Sequence, residues 1–305
     1  MSRPGQSDVT PAQTADVLRH LGDSLNAQWR RYRKRLRRCQ EKFSEDAVHD
    51  VRVEARRLLS TIELLAAFVP ERDIRKARRA LKHHLDTFDE LRDTQVQLTY
   101  VGRLANTFPD AGEFHKWLQK RQARFTRSTR QAVKHIKTRR LGRFLAAFAK
   151  EIRRQHKKIS REKALAIVQR AINQAFARVA RFCRRVRADD AQTIHRTRIA
   201  FKRFRYMVEA LAPLLPAVTE DHRRALRAYQ CMMGDVQDME VLLAALEKFG
   251  QKKNVNAASV RRLKKELVRW RRMLIEIYVN AAGRLRRFWP PPRLQPEAKS
   301  RNKSL

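Results

Sequence analysis

Two segments of this chain place a histidine at the head of a row of cations. The first is AVHDVRVEARRLLSTIELL, which starts at Ala47, and the second is TIHRTRIAFKRFRYMVEAL, which starts at Thr193. At one constant offset the matched pairs are His49 with His195, Arg52 with Arg198, Arg56 with Lys202, and Arg57 with Arg203. A histidine in such a row could act as a general base, a metal ligand, a core residue or a donor to a bound anion.

The residues around the two histidines favour anion binding over catalysis. Asp50 follows His49, but Arg196 follows His195, so an acid that could orient a general base is not repeated. The chain has no H-E-x-x-H, G-x-S-x-G or H-x-E motif and no Gly-rich loop before Lys-Ser/Thr. Adjacent histidines, such as those at positions 83 and 84, face different directions on a helix, which is unfavourable for metal binding. We therefore expect no enzyme activity, no metal site and no cofactor.

A second pair of basic segments follows the first pair. RRALK spans residues 78–82, and RRALR spans residues 223–227. In each segment the first and last cations, Arg78 with Lys82 and Arg223 with Arg227, are four residues apart and share a helix face. Like charges at this spacing destabilise an isolated helix by a few tenths of a kcal/mol, roughly. Their repetition indicates a ligand, with ordinary surface cations as the alternative.

The elements that position these residues are predicted to be helices. The 305 residues include only 8 glycines and 10 prolines, apolar residues recur at three- and four-residue steps, and no strand-like alternation persists. On a helical wheel, one edge beside the apolar stripe carries His49, Arg52 and Arg56 in the first segment and His195, Arg198, Lys202 and Arg205 in the second. The pattern predicts an all-α fold in which the cationic rows border a groove between helices.

The repetition extends along the chain and predicts two similar helical halves. LGDSLNAQW, from Leu21, resembles VQRAINQAF, from Val168, and three blocks recur in the same order. The predicted layout is a disordered N-terminus at 1–11, one domain at 12–288 and a disordered basic tail at 290–305. Within the domain it has a first helical repeat at about 12–136, a connecting helix at about 139–157 and a second repeat at about 160–286. Asp93 and Asp238 also repeat, and we interpret them as helix caps or as ion-pair partners that orient the arginines.

The overall charge predicts a polyanionic partner. Lysine and arginine number 70 against 31 aspartates and glutamates, for a formal net charge of +39. The cysteines at positions 39, 183 and 231 form no C-x-x-C pair, which is typical of a reducing compartment. The first ten residues lack an apolar segment, and no stretch approaches the ~18 apolar residues of a membrane-spanning helix. We therefore expect a cytoplasmic protein without a membrane partner.

VHDVRVEARRLLSTIEL and IHRTRIAFKRFRYMVEA resemble the two signature segments of the CHAD domain, the conserved histidine α-helical domain. MMGDVQDMEVL resembles the segment that this family carries two helices later in its second half. The resemblance covers about residues 12–288. It implies two antiparallel four-helix bundles related by an internal duplication, around a basic central groove or pore that binds inorganic polyphosphate without catalysis. It also implies association with polyphosphate granules. The Glu-x-Glu-x-Lys signature of the CYTH enzyme domain found fused to some relatives is absent, so we expect a stand-alone binder.

Residue by residue, the resemblance implies phosphate contacts from both signature segments. The implied contacts are His49, Arg52, Arg56, Arg57, His195, Arg198, Lys202, Arg203 and Arg205, and the second basic segments add Arg78, Lys82, Arg223 and Arg227. Leu59 stands where the second half has Arg205, and Asp89 stands where it has Gly234, in the family's Leu-Gly turn. These departures predict a weaker site or a shifted turn in the first half.

Nucleic-acid binding is the alternative function. Single-stranded nucleic acid binds best where aromatic rings alternate with cations, because bases stack on the rings. Tyr206 is the only tyrosine in the two signature segments, and the phenylalanines there fall on the apolar stripe. The sequence therefore favours polyphosphate, with nucleic acid as a weaker ligand.

Overall fold

The computed structural model describes residues 16–105 and 108–289 of the chain. Within these ranges the fold is all-α, as the sequence predicts. The predicted disordered N-terminus (1–11) and basic tail (290–305) lie outside the described residues. The helices are α1 (Val17–Glu41), α2 (Glu45–Leu65), α3 (Glu71–Asp86), α4 (Asp89–Ala105), α5 (Gly112–Lys134), α6 (Arg139–His156), α7 (Arg161–Cys183), α8 (Ala191–Leu211), α9 (Glu220–Gly250) and α10 (Ala257–Ala281).

Side-chain caps determine where the two signature helices, α2 and α8, begin. Ser44 accepts a hydrogen bond from the Ala47 amide at 3.2 Å, and Asp190 accepts one from the Gln192 amide at 3.0 Å. Such caps satisfy backbone donors that the first helical turn leaves free. Both helices therefore start one turn before their histidines, and the cationic rows run along the helices from that point.

Two clusters of buried apolar side chains hold the helices together, and each draws helices from both halves of the sequence. The larger cluster joins α1, α2, α3 and α6 to α7 and α8, with fully buried anchors such as Leu58, Phe201 and Phe204. The smaller cluster packs the end of α4 and the start of α5 against the end of α9 and the start of α10. Because α2 packs directly on α8, the two signature helices are neighbours.

The two halves differ in the segment that follows their signature helices. In the first half a turn at Thr87 and Phe88 separates α3 from α4, and the Phe88 ring is fully buried there. In the second half α9 is continuous. Gly234 lies inside α9, and no glycine in the described ranges has a positive φ, so the predicted turn at Gly234 is wrong. The turn belongs to the first half, where it places Asp89 at the start of α4.

The lengths and compositions of the helices also bear on membranes. Within residues 16–105 and 108–289, no helix combines the length and the apolar composition needed to cross a bilayer.

Candidate anion-binding site

Packing of α2 on α8 brings four cations of the signature segments together. Arg52 and Arg56 come from α2, and Arg198 and Lys202 come from α8; we call these four residues the central cluster. All three arginines lie close enough to the Lys202 ammonium for their charges to oppose its protonation. The two rows that were predicted separately therefore form one site across the contact between the halves.

The surroundings of the central cluster disfavour the positive charges of its residues. The pKa of Lys202 is lowered from 10.5 to about 8, mainly by burial and further by repulsion from Arg56, Arg198 and Arg52. Burial also lowers the pKa of Arg52, whose side chain is only 9% exposed, and repulsion from Arg56 adds to this effect. The nearby Asp89 carboxylate opposes both shifts. A bound anion would relieve this repulsion.

Few protein groups compensate these charges. The Asp89 carboxylate lies 3.2 Å from Arg52 Nη1, but Asp89 is 55% exposed. In the part of the chain that the structure describes, Arg56, Arg198 and Lys202 form no ion pair with a carboxylate. The Nε of Arg198 and the Nδ1 of His195 are buried and lack a hydrogen-bond partner among the described residues. Because buried polar groups without partners are costly, they indicate room for a ligand that forms hydrogen bonds with them.

The two predicted histidines occupy different environments. His195 is half-buried on α8, whereas His49 is exposed on α2. Asp50, the neighbour of His49, lies with its Oδ2 3.0 Å from Nη1 of Arg35 on α1. Its carboxylate is therefore engaged with α1. Lys82 is exposed on α3.

The remaining predicted contact residues have carboxylate partners. The pairs are Arg57 with Glu54, Arg78 and Arg203 with Glu63, Arg205 with Glu209, Arg223 with Glu220, and Arg227 with Glu209 and Glu220. Arg205 does not lie at the groove edge where the helical wheel placed it. It is buried, donates from Nε to the Gln230 amide oxygen at 2.8 Å, and lies over the Tyr206 ring. Since these charges are already compensated, the central cluster and His195 are best suited to bind an anion.

Glu63 links two of the paired arginines across helices. Its buried carboxylate lies 2.7 Å from Arg78 of α3 and 2.7 Å from Arg203 of α8. Glu63→Gln leaves both cations without that charge, so we expect the free energy of unfolding to fall by about 2 kcal/mol in urea denaturation, because the carboxylate is buried while both guanidinium groups reach solvent. Glu151→Gln removes the same charge from a solvent-screened pair with Arg154 and should lower the free energy of unfolding much less. Equal losses in the two variants would contradict a structural role for Glu63.

The repeated acids Asp93 and Asp238 do not cap helices, because they lie inside α4 and α9. Burial raises the pKa of Asp238, and Arg198 opposes that shift. The Asp93 side chain reaches solvent, yet the surrounding protein displaces enough water to raise its pKa. The negative charge of Asp89 raises this pKa further, and the positive charge of Arg52 lowers it. Neither acid forms an ion pair with a cation in the described ranges. The two acids therefore act on the arginines through longer-range electrostatics.

Sequence reasoning missed Arg92 on α4. Its charge acts on the ionisation of both Arg52 and Asp238, so it lies beside the central cluster. The internal repeat contained no signal for it, because Gln237 occupies the matching position in the second half.

Comparisons with known proteins agree on the fold. A family model described as "CHAD domain" matches residues 17–247. A crystal structure of the CHAD domain from the plant Ricinus communis is similar, with a TM-score of 0.65 at 20% identity over 89% of this chain and 93% of that chain. PptA from Streptomyces chartreusis is similar with a TM-score of 0.61 at 16% identity, over 90% of this chain and 100% of that chain. A search of curated proteins finds no match.

Proposed function

Because this chain belongs to the CHAD domain family, we propose that it binds inorganic polyphosphate at the central cluster and does not hydrolyse it. The observation that carries the proposal is the convergence of four cations at the contact between α2 and α8. Three of the four have no carboxylate partner in the described part of the chain. A chain of linked phosphates supplies negative charge and acceptor oxygens in the same group.

The spacing of the cations suits a linear ligand. Arg52 and Arg56 are one helical turn apart on α2, and Arg198 and Lys202 are one turn apart on α8, which gives steps of about 6 Å along each helix. Arginine can donate two parallel hydrogen bonds to one phosphate, and lysine adds a compact charge. Displaced counterions then favour binding through their entropy, so affinity should fall steeply with salt.

The aromatic groups near the site favour phosphate over nucleic acid. Tyr206 is 6% exposed, and its ring is covered by the Lys202 ammonium, 5.8 Å from the ring centroid, and by the Arg205 guanidinium at 4.7 Å. No face of this ring is free for a base. Because base stacking contributes strongly to binding of single-stranded nucleic acid, its loss leaves only phosphate contacts for such a ligand.

Competition between the two polyanions tests this function. We expect polyphosphate of defined chain length to displace labelled tRNA at low concentration, and tRNA to displace labelled polyphosphate poorly, in fluorescence anisotropy at matched salt. Longer chains should bind more tightly because they engage both helices. Efficient displacement of polyphosphate by tRNA would instead favour nucleic acid as the ligand.

The non-catalytic part of the proposal rests on the arrangement around the histidines. The acid next to His49 is engaged by Arg35, and the second half has an arginine at the corresponding position. Incubation of the same samples with polyphosphate and Mg²⁺ should release no phosphate above a protein-free blank. If the protein binds polyphosphate without hydrolysing it, we expect it to associate with polyphosphate granules.

A further inference from the structure

A second basic pocket lies between α5 and the end of α9, and it includes none of the signature residues. It has a volume of about 540 Å³. Its charged and aromatic lining consists of Trp117, Lys120, Arg121, Arg124, Lys248 and Lys252. One glutamine completes the lining, and no carboxylate is part of it. Five cations around one concave space form a strong local attraction for an anion.

Aromatic rings hold the arginines of this pocket in place. The Arg121 guanidinium lies 5.3 Å from the Trp117 ring centroid and 5.0 Å from that of Phe125, and Arg124 lies 5.0 Å from Phe125. The indole also stacks on Phe114 at 5.8 Å. A guanidinium that stacks on a ring keeps its N–H edge free for an oxyanion. The buried Arg121 Nε has no hydrogen-bond partner in the described part of the chain.

Helix stability explains only part of this charge. Lys248 lies in the last turn of α9 and Lys252 lies just beyond its end, where cations offset the partial negative charge of the helix end. Lys120, Arg121 and Arg124 lie in the interior of α5, where like charges four residues apart oppose helix formation. Among the described residues, none of the five forms an ion pair with a carboxylate. Glu90 and Asp93 offset Arg121 only through longer-range electrostatics.

We propose that this pocket binds an oligophosphate group independently of the central cluster. The ligand is a run of linked phosphates, carried by inorganic triphosphate, by the end of a longer chain or by a nucleoside triphosphate. The faces of the Trp117 and Phe125 rings are engaged by guanidinium groups and by Phe114, so the pocket recognises the phosphates and not a base. The lining of this pocket shares no residue with the central cluster, and the proposal does not depend on the function proposed for that cluster.

Fluorine NMR of protein labelled with 5-fluorotryptophan tests the pocket, with the Trp117 resonance assigned through Trp117→Phe. Inorganic triphosphate should shift this resonance saturably, and ATP should do so to a similar extent. Lys120→Gln/Arg124→Gln/Lys248→Gln should weaken the response at least about tenfold, because charged hydrogen bonds are removed. The matched control, Arg127→Gln/Arg130→Gln/Lys134→Gln, removes three exposed charges from the same helix outside the pocket. This variant should retain the response of the Trp117 resonance.

The outcomes separate this pocket from the central cluster. The variant Arg56→Gln/Lys202→Gln should keep the ligand-induced shift of the Trp117 resonance. Loss of this shift in that variant would mean that the shift originates from binding at the central cluster, and it would overturn the pocket. An unmoved Trp117 resonance in protein that still binds polyphosphate would overturn the pocket and leave the central proposal standing. A shift with ATP alone, or equal weakening in the matched control, would also overturn it.

Discussion

Replacing Arg56 and Lys202 together by glutamine is expected to weaken polyphosphate binding at least about 100-fold at low salt. Both cations face the contact between α2 and α8 without a carboxylate partner in the described part of the chain. A hydrogen bond to a charged group contributes about 1.5–3 kcal/mol, and about 1.4 kcal/mol corresponds to a factor of ten, so the removal of two such bonds gives this magnitude. Fluorescence anisotropy with labelled polyphosphate measures the change.

Net charge is the main competing explanation for that weaker binding. Arg127→Gln/Lys134→Gln removes the same formal charge from exposed positions of α5 and should weaken binding only slightly. The slope of log affinity against log salt should become shallower by about one for each phosphate that the protein no longer neutralises, and only in the central variant. If both double variants bind equally weakly, the protein binds through its overall charge and the central cluster is not the site.

Polyphosphate binding is also expected to weaken as the pH rises from 8 towards 10.5. In the unliganded protein the pKa of Lys202 is about 8, and a bound polyanion raises it by favouring the ammonium form. Above pH 8 binding must therefore take up a proton, and affinity falls by up to about tenfold per pH unit. Below pH 8 the lysine is protonated in both states, so this contribution is constant. Calorimetry at pH 9 in buffers with different ionisation enthalpies measures the proton uptake.

Lys202→Arg is the control for this linkage, because arginine stays protonated over the whole range. The variant should bind at pH 8 and show little of the decline above it. The same decline in Lys202→Arg would assign the pH dependence to other groups. The unliganded protein offers a second readout, since the lowered pKa of Lys202 destabilises the fold by about 3 kcal/mol below pH 8. That penalty disappears as the pH rises through 10.5, so the unfolding free energy of the wild type should rise relative to that of Lys202→Arg. The difference isolates the lysine, because burial raises the pKa of Cys39 and Tyr32 in both proteins and lowers the stability of both alike at high pH.

The family and the all-α fold could be predicted because their signals are local and repeated. Apolar residues at three- and four-residue steps indicate helices wherever those helices pack, and two copies of one signature reduce the chance of a coincidental match. The turn that the family resemblance implies at Gly234 is absent from the structure. The glycine that suggested it lies in an unbroken helix, while the buried Phe88 side chain occupies the actual turn.

The site could be predicted only in part, because a helical wheel describes one helix at a time. It places Arg52, Arg56, Arg198 and Lys202 on the edges of their apolar stripes, and the structure brings these edges together. It cannot show that Arg205 turns inward to residues of α8 and α9. The basic pocket of α5 and α9 has no repeated motif, so it became visible only when the two helices were placed side by side.

By itself, the sequence determined that the protein is helical, that it carries two rows of cations headed by histidines, and that its charge calls for a polyanion. These properties depend on residue types and short spacings. The tertiary structure decided that the two rows meet, and which cations lack partners. The physical reason is that a compensating carboxylate can come from a helix distant in the chain, where no short spacing reveals it. Glu63 of α2 neutralises Arg203 of α8, while the adjacent Lys202 faces three arginines and is left with a pKa of about 8.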